Sequence, residues 1–185
     1  MKNAMLLLFL FLTASGFSQN WRTNFDEAKA EANKEDKNIV LVFSGSDWCA
    51  PCMKLDNVVW KSEAFKQEAE KNWVIYKADF PKKKANQLVP DLTASNQKLA
   101  EKYNRGGSFP LVVLLDKTGK VLGMTGFKNV PANDYIQLIH SLTAAGQIQR
   151  TDDHHRAALI SWMQIQNSMA KNGKGKLDAI KKRDA

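Results

Sequence analysis

Apolar residues along the chain form continuous runs and helically spaced runs, and the two patterns predict different elements. Residues 39–43 are wholly apolar, as a strand buried on both faces would be, and residues 73–79 and 111–115 also predict strands. After the third strand, residues 116–119 predict a turn, and residues 120–125 pair back as a hairpin. The pattern therefore gives a sheet-forming chain with a hairpin near its middle.

Capping residues and helical spacing predict helices between and after these strands. Asn24 or Thr23 caps the first helix and Ser62 caps a later one, because such side chains accept hydrogen bonds from free backbone N–H groups. Residues 80–93 are predicted to be a basic loop punctuated by proline, and the chain after Gly173 is predicted to be frayed. The predicted helices are residues 25–36, 53–60, 63–71, a helix capped by Ser95 that runs to residue 103, 131–142, and a last one around Leu159 to Met169.

The order of these elements predicts the fold class. A parallel βαβ unit comes first and an antiparallel hairpin follows, which gives an α/β domain with a central mixed sheet and helices on both faces. The chain of 185 residues is long enough for one such domain with its own core. We predict a domain at residues 19–145, a C-terminal helical extension at 146–170 and a basic flexible tail at 171–185.

The first 18 residues have the three parts of a secretory signal peptide. Lys2 supplies the positive charge, residues 5–12 are an apolar run, and Gly16 and Ser18 are small residues at the usual cleavage offsets. The apolar run is short for a membrane span, although an uncleaved anchor is the alternative. We therefore predict a periplasmic or secreted protein cleaved near Ser18/Gln19.

Composition narrows the class of protein but does not identify its chemistry. Hydrophobic residues make up 44% of the chain, as in a folded globular protein, and the net charge is +8. Lysines at residues 82–84 and the basic residues between 171 and 183 carry much of this charge. No zinc finger and no aromatic–basic platform accompany it, so nucleic-acid binding is not predicted.

The two cysteines of the chain, Cys49 and Cys52, carry its candidate chemistry. They follow the first strand and begin a helix, where free N–H groups and the helix dipole favour a negatively charged sulfur. This position is expected to lower the pKa of Cys49 and make it the exposed, attacking thiolate. Cys52, which follows after two intervening residues and is expected to be more shielded, is placed to attack a mixed disulfide formed by Cys49.

Two other uses of a C-x-x-C pair remain open. Such a pair is half of a zinc site, but the chain has no second cysteine pair, and its three histidines are His140, His154 and His155. A purely structural disulfide would close a very small loop and so stabilise little. We expect neither a metal nor a cofactor.

The sequence Trp48-Cys49-Ala50-Pro51-Cys52, after an apolar strand and with Phe109-Pro110 before another, resembles the thioredoxin family. The resemblance covers about residues 24–142 and implies a thioredoxin fold with an extra C-terminal helix. It implies that Cys49 and Cys52 are catalytic, that Pro110 is a cis-proline facing the two sulfurs, and that Phe109 offers backbone groups to an extended substrate. Trp48, Ala50, Pro51, Phe109 and Pro110 are the implied substrate-binding residues.

This chain departs from the family in two places. Cytosolic thioredoxins carry a buried acid on the strand before the motif, whereas residues 40–43 are apolar here, which puts the proton route of Cys52 in question. Asp47 and Lys54 are nearby charges that we expect to be exposed neighbours. The second departure is the long segment 80–95, for which a solvated insertion is favoured over a partner surface.

The resemblance implies a thiol–disulfide oxidoreductase acting on disulfide-containing exported proteins. Because no histidine lies between the cysteines, we expect a reductase rather than an oxidase or isomerase. A reductase outside the cytosol needs an electron donor, and the family implies a membrane thiol carrier. The alternatives are a binding adaptor with little redox activity and a reductase dedicated to cytochrome c maturation. A monomer is expected.

Overall fold

The computed structural model describes the backbone of residues 21–183 and the side chains of residues 21–164 and 168. The predicted signal peptide and its cleavage site lie outside the described residues. Within these described residues, four strands form one mixed sheet in the order β2-β1-β3-β4, in which β1 is parallel to β2 and antiparallel to β3, and β4 is antiparallel to β3. The strands are β1 (Asn38–Ser44), β2 (Trp73–Asp79), β3 (Leu111–Leu115) and β4 (Val121–Gly126).

Helices cover both faces of the sheet, as predicted. They are α1 (Phe25–Glu35), α2 (Ala50–Leu55) continued by a π-helical turn (Asp56–Trp60), α3 (Glu63–Asn72), α4 (Pro90–Tyr103) and α5 (Ala132–Arg183). Asn24 caps α1 by accepting from the N–H of Asp26, and Ser62 caps α3 by accepting from the N–H of Phe65. Both predicted caps are therefore confirmed.

The side chains of β1 alternate between two cores. Val40 and Val42 pack with residues of α2, the π-helical turn, α3 and α5 on one face. Ile39, Leu41 and Phe43 pack with residues of α1 and α4 on the other face. All five are at most 1% exposed, so β1 is the central strand buried on both sides that its apolar run predicts.

The start of α4 differs from the prediction. The helix begins at Pro90, and Ser95 lies inside it rather than capping it. Proline suits the first turn of a helix because its missing N–H is one that the helix leaves free there. Residues 80–89, which we name the lysine loop, therefore form a shorter connection than the predicted one, with a single 3-10 turn at Lys84–Asn86.

The C-terminal region also differs from the prediction. Instead of two helices and a frayed end, one helix runs from Ala132 to Arg183. Gly146 lies within this helix where α5 packs closely on β4: a Cβ atom at this position would lie 2.7 Å from the Cα of Leu122. Among the described residues, no helix is long and apolar enough to cross a membrane. The division at residues 145 and 170 stays a prediction.

Candidate active site

The cysteine motif follows the C-terminal end of β1, which is an inner strand of the sheet. Its last residue, Ser44, leads into a tight turn in which the N–H of Cys49 donates to the carbonyl of Gly45 at 2.9 Å. The Trp48 indole lies directly over Gly45, where a Cβ atom would come within 2.3 Å of the ring. Glycine is thus the residue that lets Trp48 fold back over its own turn.

Cys49 and Cys52 form a disulfide, with an S–S distance of 2.08 Å and a Cα–Cα distance of 5.2 Å. Cys49 is the N-cap residue of α2, and its Sγ accepts the N–H of Cys52 at 3.2 Å. Pro51 lies in the first turn, as predicted. Cys49 is 4% exposed and Cys52 is 2% exposed, so the expected contrast in exposure is not present in the disulfide form. In this form the Sγ of Cys49 is bonded to Cys52 and caps the helix.

Three of the residues predicted to bind substrate adjoin the cysteines in sequence, and the other two lie before β3. Trp48, Ala50 and Pro51 are exposed, Phe109 is half-buried and Pro110 is buried. The Phe109–Pro110 peptide bond is cis, which confirms that prediction. The rings of Trp48 and Phe109 are in edge-on contact at 5.4 Å between centroids, so the structure brings the cysteine motif and the Phe109–Pro110 segment together.

A cleft of about 300 Å³ lies beside the disulfide on the α2 side. Cys52 lines it together with Asp56, from the π-helical turn, and Lys77, from β2. Lys77 Nζ donates to Asp56 at 2.5 Å, and Lys61 pairs with the other carboxylate oxygen at 3.1 Å. The remaining lining residues are Ser44, Ser46, Met53, Asn57 and Lys61.

Asp56 is the acid that sequence reasoning missed. In cytosolic thioredoxins the acid lies on the strand before the motif, whereas Asp56 lies on the helical segment after it. Its spacing of four residues from Cys52 is the signal that could have found it, because residues i and i+4 share a helix face. Burial alone would raise the pKa of Asp56, but the hydrogen bonds and charges of Lys77 and Lys61 outweigh it and lower that pKa below the ordinary value.

Asp47 has a structural role that its expected exposure did not suggest. Its two carboxylate oxygens accept the N–H groups of Lys82 and Lys83, each at 2.9 Å, and the amide of Asn86 at 3.0 Å. The hydrogen bond from Lys82, together with the others from the lysine loop and the charge of Lys83, lowers the pKa of Asp47 despite some desolvation. Lys54, the other expected neighbour, lies over the ring of Phe127 at 5.8 Å.

Trp48 makes two further contacts with the lysine loop. Its indole N–H donates to the carbonyl of Phe80 at 2.7 Å, and Lys82 Nζ lies 4.0 Å from the centroid of its ring. Phe80 in turn contacts Phe109 at 5.5 Å between centroids. The lysine loop is thus joined to both segments that form the site.

A buried polar network holds the base of the lysine loop. Tyr76 donates its hydroxyl to Asn96 Oδ1 at 2.9 Å, and Asn96 Nδ2 donates to the carbonyl of Asp79 at 3.0 Å. The Asp79 carboxylate accepts the N–H of Ser46 at 2.9 Å and its hydroxyl at 2.5 Å. Burial raises the pKa of Tyr76, so its hydroxyl stays protonated and able to donate. In the part of the chain that the structure describes, no three metal-ligating side chains come together.

A family model, a curated relative and two solved structures all relate the chain to thioredoxin-like proteins. A family model described as thioredoxin-like matches residues 20–117. The chain is 32% identical over 118 residues to the disulfide bond reductase DsbH of Chlamydia pneumoniae, a match that covers 64% of this chain and 69% of that protein. A solved structure of a DsbH oxidoreductase superposes with a TM-score of 0.64 and 30% identity, covering 69% of this chain and 85% of that one. A thioredoxin from Thermus thermophilus, 18% identical with a TM-score of 0.52, covers 70% of this chain and 90% of its own and shows the same fold.

Proposed function

Because the chain belongs to the thioredoxin-like family, we propose that it reduces disulfides of exported proteins by exchange at Cys49 and Cys52. The disulfide between these cysteines, at the start of α2 and beside Trp48 and Phe109, is the observation that supports this function most directly. Trp48 adjoins this redox bond in sequence and contacts Phe109, so we assign these two side chains and the segment before β3 to the substrate surface.

The reduced protein acts in two balanced steps. The Cys49 thiolate attacks a client disulfide, so that a Cys49–client disulfide forms and one client sulfur leaves as thiolate. The Cys52 thiolate then attacks Cys49 Sγ, which releases the second client thiolate and forms the Cys49–Cys52 disulfide. The client has gained two electrons and the enzyme has lost two, so a dithiol donor must reduce the enzyme again.

Helix α2 favours the first step. The Sγ of Cys49 already accepts the N–H of Cys52, and the same donor is available to a thiolate at that position. Such a hydrogen bond, together with the start of the helix, stabilises the charged form of the sulfur. Trp48, Ala50 and Pro51, the residues next to the cysteines in sequence, are exposed.

Asp56 is the group that we assign to the proton of Cys52. It lines the same cleft as Cys52, and the lysines beside it keep it ionised near neutral pH. An ionised carboxylate can accept the thiol proton, directly or through water, before Cys52 attacks. The apolar strand β1 offers no carboxylate for this purpose, so the helix supplies the acid instead.

Two observations favour the reducing direction. The relative that is 32% identical is a disulfide bond reductase. In addition, Ala50 and Pro51 separate the two cysteines without a histidine, so the Cys49 thiolate lacks the imidazolium that would stabilise it from within the motif and make the couple more oxidising. Reduction of clients is favoured when the thiolate is less stabilised, because the dithiol form then gives up its electrons more readily.

The compartment and the partners are part of the proposal. The N-terminal sequence and the similarity to DsbH support a periplasmic or secreted protein, whose clients would be exported proteins with disulfides. A membrane thiol carrier is the electron donor that we propose, since an exported reductase has no access to cytosolic reductants.

The reduction potential of the Cys49–Cys52 couple tests the direction. Equilibration with glutathione redox buffers should give a value near the thioredoxin end of the range, about −270 mV, rather than the strongly oxidising end at about −120 mV. A value close to the oxidising end would reject the reductase assignment.

Trapping of clients tests the exchange chemistry. The Cys52→Ser variant should accumulate mixed disulfides with a disulfide-bridged substrate, because Cys49 attacks and nothing resolves the product. The Cys49→Ser variant is the matched control and should accumulate few. If both variants captured substrate equally, a binding adaptor would be the better description.

A further inference from the structure

The lysine loop is fastened to the redox motif at several points. Asp47 and Trp48, the two residues before Cys49, bind it through four hydrogen bonds: three donated by the loop to Asp47 and one from Trp48 to the Phe80 carbonyl. A solvated insertion would not need such contacts. The lysine loop is therefore an ordered part of the surface next to the disulfide, which we call the rim.

The loop presents three consecutive lysines on this rim. Lys82, Lys83 and Lys84 are all exposed. Within the described part of the chain, none of the three forms an ion pair with a carboxylate. Lys82 instead lies over the exposed ring of Trp48, next to Cys49. Lys83 acts at longer range on Asp47, but no direct ion pair neutralises any of the three side chains, so they can also act on a bound molecule.

The carboxylates near the loop compensate these charges only in part. Asp47 and Asp79 use their oxygens for hydrogen bonds to the lysine loop and to Ser46, and Asp56 is paired with Lys77 and Lys61. The cleft and the loop together carry five lysines against these three aspartates. The surroundings of the disulfide therefore have a net positive charge.

Contacts of Phe80 place the loop beside the expected path of the substrate. Phe80 begins the loop and touches Phe109, whose backbone is the proposed substrate edge. Residues of a client that flank its disulfide would pass between Phe109 and the lysine side chains. Positive groups on this path favour anionic residues in the client.

We propose that the lysine loop is a client-recognition surface that selects disulfides flanked by Asp or Glu residues. This inference rests on the proposed function and adds the substrate class to it. Electrostatic attraction of this kind acts mainly on the rate of association and weakens as salt shortens the screening length, which is about 8 Å at 0.15 M.

The test compares disulfide-bridged peptides of one design whose flanking residues are acidic, neutral or basic. With the reduced full-length protein, the acidic peptide should react roughly 10-fold faster than the basic one at low salt, and this ratio should fall towards one at 1 M salt. The triple variant Lys82→Glu, Lys83→Glu, Lys84→Glu should reverse the ratio. The matched control is Lys34→Glu, Lys71→Glu, Lys98→Glu, which makes the same change in net charge on exposed positions of three other helices and should keep the wild-type ratio.

The outcomes separate this inference from the proposed function. If the wild-type protein reacted with none of the peptides, the proposed function itself would fail. If it reacted with all three peptides at similar rates, or if the control variant reversed the ratio as well, recognition by the lysine loop would be overturned while the redox function stood. If the glutamate variant lacks a cooperative unfolding transition, the neutral variant Lys82→Gln, Lys83→Gln, Lys84→Gln replaces it. In this variant the ratio of the acidic-peptide rate to the basic-peptide rate should fall to about one without reversing.

Discussion

Replacement of Asn96 by alanine is the change for which the structure gives the clearest energetic expectation. Asn96 is 1% exposed and Tyr76 is fully buried. The variant leaves the Tyr76 hydroxyl without its acceptor, which costs about 1–3 kcal/mol, and removes the bond to the Asp79 carbonyl, worth about 1 kcal/mol. We therefore expect Asn96→Ala to lower the free energy of unfolding by about 2–4 kcal/mol, a large part of the 5–15 kcal/mol typical of a domain.

Urea unfolding of the oxidised protein measures this loss, provided that the slope of the transition is unchanged. A double-mutant cycle with Tyr76→Phe isolates the hydroxyl. Once the hydroxyl is absent, Asn96→Ala should cost about 1–3 kcal/mol less, because no buried donor is then left unsatisfied. Gln97→Ala, an exposed neighbour on the same helix, is the control and should change stability by less than about 0.5 kcal/mol. Additive losses in the cycle would refute the reasoning, since they would mean that the two side chains do not depend on each other.

Three further predictions concern the site and its support. Because the pKa of Asp56 is lowered in the folded protein, its contribution to stability is complete above the unfolded pKa of about 3.8 and is lost as pH falls through the lower folded value. Asp56→Asn should therefore lose less stability than the wild type when the pH is lowered below about 4. Equal losses of stability for the two proteins on acidification would contradict this. Gly146→Ala should lower the stability measured by thermal unfolding by about 1–2 kcal/mol, because the added Cβ would meet the backbone of Leu122. Gly106→Ala is the control and should cause no such loss, since the space around that residue is open. Equal effects of the two substitutions would refute the close contact. Alkylation of the reduced protein near neutral pH should label Cys49 before Cys52, and mass spectrometry showing the reverse order would exchange their roles.

The sheet and the redox pair were predictable from the sequence because their signals are local. A run of apolar residues such as 39–43 predicts a strand buried on both faces wherever it lies, and the structure confirms it. The C-x-x-C spacing places both sulfurs at one helix start without any knowledge of distant residues. The caps at Asn24 and Ser62 act within three residues and were predictable for the same reason.

The charged surroundings of the pair depend on contacts that no local pattern contains. Lys77 looked like one polar residue within a strand, and its partner Asp56 lies 21 residues away. Asp47 looked like an exposed turn residue because its three donors come from residues 35 to 39 positions further along the chain. Such pairings become visible only when β1 and β2 lie side by side and their ends meet at the same edge.

The start of α4 was mispredicted for a different reason. Proline both ends and begins regular structure, and Pro90 was read as part of a loop although it opens a helix. Asn96 lies inside this helix and is buried, a position that an amide occupies when its polar atoms have partners. Its partners Tyr76 and Asp79 explain why it is tolerated inside.

The Asn96 side chain also determines how freely the lysine loop can be exchanged. Asn96 binds the end of β2 through Asp79, and it belongs to α4, so the two ends of the connection are held together whatever lies between them. A connection of twice the length would cost only about 0.6 kcal/mol more in closure entropy. Segments of different length and charge could therefore be grafted between residues 79 and 90 of this scaffold. The resulting variants would share one redox centre and differ in the surface next to it.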